Sequence, residues 1–136
     1  MEGSRGGQNV ANILLIEDNA TNRRLIALFL RNTGYTLLSA NDAETGLMLA
    51  REVLPDLILM DIQLPGMDGL SATRLLKGDA QTRSIPILAL TAFAMKGDEA
   101  RIRGAGCDGY LAKPIRHALF IETVQRFLLP KVGLRP

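Results

Sequence analysis

Five short apolar runs, each followed by a stretch with helical spacing, leave this chain few folds to choose from. The runs are Ile13-Leu-Leu-Ile16, Tyr35 to Ala40, Pro55 to Met60, Pro86 to Leu90 and Gly109 to Ala112. They recur at intervals of roughly 20–25 residues, the length of a strand plus a crossover helix. The uniformly apolar Ile13–Ile16 suits a parallel strand covered on both faces, and the apolar core Leu57–Met60 of the third run reads as central. Between them, Asn19 or Thr21 can cap a helix with apolar positions Leu25, Leu28 and Phe29, stopped by Gly34. Asn41 and Glu44 have capping-box spacing for a helix through Val53, with Ala43, Leu47, Ala50 and Leu54 on one side. A turn-rich loop from Leu64 to Gly69 precedes a helix ending near Lys77. Residues 94–105 form a weaker helix, interrupted by Gly97 and Gly104 and anchored by Met95 and Ile102. The last helix carries Phe120, Ile121, Val124, Phe127 and Leu128, and Pro130 is expected to end it.

Strands alternating with helices imply βαβ units with right-handed crossovers and helices on both faces of a parallel sheet. Five strands are too few for an eight-stranded barrel. The expected fold is therefore a flavodoxin-like, doubly wound, five-stranded parallel sheet of order 2-1-3-4-5 with five helices. A length of 136 residues, 47% hydrophobic, suits one core. The expected layout is a polar, Gly-rich, disordered tail at 1–11, a domain at 12–130 and a short tail at 131–136.

Composition also narrows the function. Net charge is only +2, no block of like charge occurs, and there are no Trp, two Tyr and four Phe, so nucleic acid is a poor partner. Cys107 is the single cysteine, which rules out an internal disulfide. No apolar run approaches the roughly 20 residues that span a bilayer, and the N-terminus lacks the apolar core of a signal peptide. A reducing, cytoplasmic setting is expected.

In open α/β sheets, ligands bind beyond the carboxyl ends of the strands, near the point where strand order reverses. Those ends read Glu17-Asp18, Asp61, Thr91 and Lys113-Pro114. Taken singly, each has an ordinary explanation: an acidic helix start, a turn residue, a cap, a solvated lysine. Together they bring three carboxylates, a hydroxyl and an ammonium to one crevice. Crowded carboxylates repel and call for a counter-cation, and Mg²⁺ favours carboxylates, water and phosphate oxygens. Asp61 is then a candidate nucleophile, since carboxylates can form aspartyl phosphates.

The segments Ile13 to Asn19, Pro55 to Gly69, Pro86 to Ala92 and Tyr110 to Pro114, in this order, resemble the receiver domains of two-component response regulators over about residues 12–129. The stretch from Thr91 to Arg103 is most similar to DivK-type stand-alone receivers and to receivers attached to hybrid histidine kinases. The resemblance implies that Glu17 and Asp18 hold Mg²⁺ and that Asp61 both ligates the metal and accepts a phosphoryl group. It implies that Gln63 offers its backbone carbonyl as a further ligand and that Thr91 and Lys113 bind phosphoryl oxygens, with Lys113–Pro114 cis. It also implies that Tyr110 is a switch aromatic and that Ala92, Gln63 and Phe93 flank the site. The donor would be a histidine kinase or a histidine phosphotransfer protein, and output would pass through protein contacts near residues 93–116. A receiver-like docking module that is never phosphorylated is the alternative, and the complete set of site residues weighs against it. A hydrolase of aspartyl-phosphate chemistry would want a second acid where Gln63 stands. A flavin site would want a Ser/Thr/Gly phosphate loop after the first strand. His117 reads as a surface residue and Cys107 as a small packed one.

Overall fold

Each apolar run becomes a strand in the computed structural model, which describes residues 11–92 and 96–132. The elements are β1 (Asn12–Ile16), α1 (Ala20–Leu30), β2 (Thr36–Ala40), α2 (Ala43–Val53) and β3 (Leu57–Asp61). There follow α3 (Gly69–Gly78), β4 (Ile87–Thr91), α4 (Lys96–Ala105), β5 (Gly109–Ala112) and α5 (His117–Val132). All four strand pairings are parallel, and the order is β2-β1-β3-β4-β5, as the alternation predicts. β3 and β4 are wholly buried in the middle of the sheet.

The pleat divides the apolar residues into two cores. Leu14, Ile16, Ile58, Met60, Ile87 and Ala89 face α2, α3 and α4, where Leu47, Ala50, Leu76 and Ile102 meet them. Ile13, Leu15, Leu57, Leu59, Leu88 and Leu90 face α1 and α5, against Ile26, Leu30, Phe120, Val124 and Leu128. Burying a side chain such as Phe120 contributes about 1.5–3 kcal/mol. Acidic side chains tie strand starts together at the edge opposite the strand ends. The Asn12 amide donates to Asp56 Oδ2 at 2.8 Å and the Ile87 amide to Asp108 Oδ2 at 2.8 Å. Lys77 Nζ donates to the same Asp108 oxygen at 3.0 Å and to the Ile85 carbonyl at 2.9 Å.

Helix phases and ends differ from the sequence reading in several places. On α1 the buried positions are Ile26 and Leu30, while Leu28 is 54% exposed. Leu25, Leu28 and Phe29 define a face only to within about one position, and the buried pair Ile26 and Leu30 lies one residue further along, with Phe29 packed at its edge. Asn19, not Thr21, caps α1, its Oδ1 accepting from the Asn22 amide at 2.9 Å. That helix ends at Leu30 rather than near Gly34, because Asn32 already turns to a φ of 94° and Thr33 Oγ1 donates to the Leu30 carbonyl. The cap of α2 is Asp42 instead of Asn41, with its carboxylate accepting from the Thr45 amide at 2.8 Å. Leu54 lies beyond α2 with a φ of 51° and faces solvent, so it leaves the apolar stripe. α5 continues past Pro130 to Val132, a difference of the size by which helix ends fray.

Ala11, grouped with the N-terminal tail above, is buried, and its carbonyl accepts from the Thr36 amide at 2.9 Å. Lys131 and Val132 belong to α5. The rest of both expected tails, together with Phe93 and Met95, lies outside the described residues.

One close approach fixes the end of β3. A Cβ at Gly69 would overlap the Asp61 carbonyl oxygen and lie 2.8 Å from Ile62 Cα, and the Gly69 amide donates to the Ile62 carbonyl at 3.0 Å. Backbone atoms cannot swing aside as a side chain can. Gly69→Ala is therefore expected to destabilise the chain by about 1–3 kcal/mol, seen as a lower urea midpoint; an unchanged midpoint would show that α3 can slide away.

Candidate functional site

Three of the strand-end residues share one pleat. Glu17 and Asp61 continue the alternation of Ile13/Leu15 and Leu57/Leu59, and Lys113 that of Gly109/Leu111. Lys113 Nζ accordingly lies 3.1 Å from Asp61 Oδ1 and 3.4 Å from Glu17 Oε1. Glu17 and Asp61 are buried, with relative exposures of 1% and 2%, so one ammonium serves two carboxylates out of water. The Asp18 carboxylate is exposed and brings the third acid. One oxygen from each of Glu17, Asp18 and Asp61 lies within 4.8 Å of the others.

Backbone groups hold this arrangement. The Glu17 amide donates to the Ala40 carbonyl at 3.0 Å and the Asn19 amide to Glu17 Oε2 at 3.2 Å. On the other side of the crevice, the Lys113 amide donates to the Thr91 carbonyl at 2.7 Å, so the ends of β4 and β5 are fastened together. Thr91 is buried at the end of β4. Lys113–Pro114 is cis, as the resemblance implied. Gln63 is exposed, and its backbone amide donates to Asp61 Oδ1 at 3.0 Å. Tyr110 pairs with Ala89 and packs, half-buried, against the α2–α4 core, on the opposite pleat from Asp61. His117 is exposed and lies against Phe29, ring centres 4.9 Å apart. Cys107 is buried with its sulfur 3.8 Å from Thr73 Oγ1.

The site also contains a residue that the sequence reading passed over. Arg23, in the second turn of α1, reaches back and donates from Nη1 to the Glu17 carbonyl at 2.9 Å. Its signal in the sequence was only a basic residue six positions after an acid, which no motif marks.

Electrostatics make the crevice receptive to a hard cation. Burial raises the Glu17 pKa most, and the adjacent Asp61, through hydrogen bonding and repulsion, raises it further. Among the described residues, the buried Glu17 Oε1 accepts no hydrogen bond and has only the Lys113 ion pair at 3.4 Å. A buried carboxylate oxygen without a donor, beside two more carboxylates, fits the all-oxygen donor set that Mg²⁺ takes.

Comparison with known proteins identifies similar chains. A family model described as "Response regulator receiver domain" matches residues 13–125. The polar-differentiation response regulator DivK of Brucella anthropi is 48% identical over 116 residues, covering 85% of this chain and 94% of its own. The receiver domain of the sensor histidine kinase PA1611 of Pseudomonas aeruginosa, with a magnesium ion coordinated in its active-site cleft, is 40% identical. It superposes with a TM-score of 0.80 over 87% of this chain and 97% of its own. The chemotaxis response regulator CheY4 of Vibrio cholerae is 27% identical, with a TM-score of 0.83 over 88% and 99% of the two chains.

The raised Glu17 pKa has a definite sign in stability. A folded chain that holds the Glu17 proton more tightly than the unfolded chain is helped below the ordinary value of 4.5, and loses that help as pH rises through the folded value. In chelator-containing buffer, Glu17→Gln is expected to raise the urea midpoint at about pH 7.5 and to give a much smaller gain near pH 4. The same gain at both pH values would show that Glu17 is not strained by its charge.

Proposed function

The chain belongs to the family of response regulator receiver domains, and on that premise we propose that it is a single-domain response regulator phosphorylated on Asp61. The observation that carries this reading is the pair of buried carboxylates, Glu17 and Asp61, sharing the Lys113 ammonium. A site maintained only for docking has no use for so much buried charge, which is costly to hold away from water.

In the proposed reaction, an Asp61 carboxylate oxygen attacks the phosphorus of a phosphohistidine on a histidine kinase or histidine phosphotransfer protein. The O–P bond forms as the P–N bond breaks, and the imidazole nitrogen leaves with the bonding electron pair. Lys113 neutralises one phosphoryl oxygen, and the Thr91 hydroxyl donates to another. Glu17, Asp18 and Asp61, with Gln63 beside them, are the groups that would hold Mg²⁺. A bound Mg²⁺ would supply the hard positive charge that lets carboxylates and phosphoryl oxygens share the crevice. Water attack on the acyl phosphate returns Asp61 to its carboxylate and releases phosphate. The chain thus assists its own phosphorylation and dephosphorylation without turning over a separate substrate. It acts in the cytoplasm, on protein partners and not nucleic acid; among the described residues no helix is long and apolar enough to cross a membrane.

Output is through protein contacts that respond to the phosphoryl group, with Thr91 and Tyr110 as the switch pair. The face concerned includes a groove of about 450 Å³ lined by Arg103, Tyr110, Leu119 and Phe127. Among its described residues α4 buries only Ile102 and the small Ala105, thin anchoring that supports a readily displaced helix.

Acetyl phosphate, or a phosphorylated kinase, with Mg²⁺ is expected to label the wild-type chain, and Asp61→Asn is expected to remain at background. Equal labelling of both would sink the assignment of Asp61. Turnover of added phosphomonoesters would instead favour a hydrolase.

A further inference from the structure

Asp18 is the exposed member of the acidic cluster, and among the described residues nothing donates a hydrogen bond to its carboxylate. Its aim is therefore set by the backbone on either side. On one side the Asn19 amide is drawn to Glu17 Oε2, and Asn19 Oδ1 caps α1. On the other, the Glu17–Asp18 peptide is gripped at its carbonyl by Arg23 Nη1 at 2.9 Å. Arg23 is itself locked in α1, its amide donating to the Asn19 carbonyl at 3.0 Å. The guanidinium thus closes a loop from the second turn of the helix back to the end of β1.

We propose that Arg23 is a positioning residue for the metal ligands, holding the Glu17–Asp18 peptide so that the Asp18 carboxylate faces Asp61. The inference rests on the reading of Glu17, Asp18 and Asp61 as Mg²⁺ ligands given above.

Two effects of Arg23 on a cation have opposite signs, so the test is decisive. By charge alone, a guanidinium beside a cation site repels the ion, and its removal would tighten binding. By positioning, its removal would weaken binding. Arg23 is only part-buried, so solvent and salt screen its charge. The hydrogen bond acts directly on the ligand backbone, and loss of such outer partners lowers metal affinity by about 10–100-fold.

The measurement is a titration of the isotope-labelled full chain with MgCl₂, following the backbone amide resonances of Asp18 and Asn19. Arg23→Met is expected to weaken Mg²⁺ binding by about tenfold, with a thermal midpoint close to that of the wild type. Arg23→Lys, which keeps a donor on a long stem, is expected to recover most of the affinity. If Arg23→Met does not fold, Arg23→Gln carries the same expectation. A wild type that binds Mg²⁺ alongside an Arg23→Met that binds it equally or more tightly overturns the role of Arg23 alone. A wild type that binds no Mg²⁺ overturns the metal reading, and this inference with it.

Discussion

The ammonium of Lys113, set between the carboxylates of Glu17 and Asp61, is the interaction on which the rest of the site depends. Burial first, and the neighbouring Asp61 second, raise the Glu17 pKa, because two acids held out of water side by side are unfavourable. A single cation, 3.1 Å from Asp61 and 3.4 Å from Glu17, offsets this in part, and among the described residues one Glu17 oxygen accepts no hydrogen bond. The crevice is therefore stable enough to form and electrically incomplete. It is ready for a further positive charge, or for a ligand that brings negative charge together with one.

Nothing local to these three residues could create that geometry. Glu17 follows β1, Asp61 ends β3 and Lys113 follows β5, so their meeting requires these strands to run the same way and in register. The parallel sheet supplies both, and right-handed crossovers return each strand to start at the same edge. At that starting edge Asp56, Asp108 and Lys77 bind strand amides and carbonyls, anchoring the end away from the chemistry. Gly69 sets the last constraint, since its missing Cβ lets α3 press against the Asp61 carbonyl.

The strands were legible because a buried parallel strand writes itself as an unbroken apolar run, and strand ends can be read wherever such a run stops. That is why Glu17, Asp18, Asp61, Thr91 and Lys113 could be named from the sequence and placed at one edge. Helix phase was less legible. Leu25, Leu28 and Phe29 are equally apolar, and only packing selects Ile26 and Leu30 for the core. Asn41 and Asp42 are both good caps, and the choice depends on where the strand releases the chain. Arg23 was invisible for a different reason. A long side chain that folds back to a carbonyl leaves no periodicity, and the carbonyl it seeks belongs to every residue alike.

The separation of the site's parts along the chain has a consequence for folding. Its first carboxylate directly follows the first strand and the Lys113 ammonium lies beyond the last, so nearly the whole domain must be made before the two can meet. Such long-range closure belongs to the slow, cooperative part of assembly. A partly synthesised or partly unfolded chain would carry the acids without their counter-charge and present no crevice. The crevice therefore exists only once the first and last parts of the sheet are both in place.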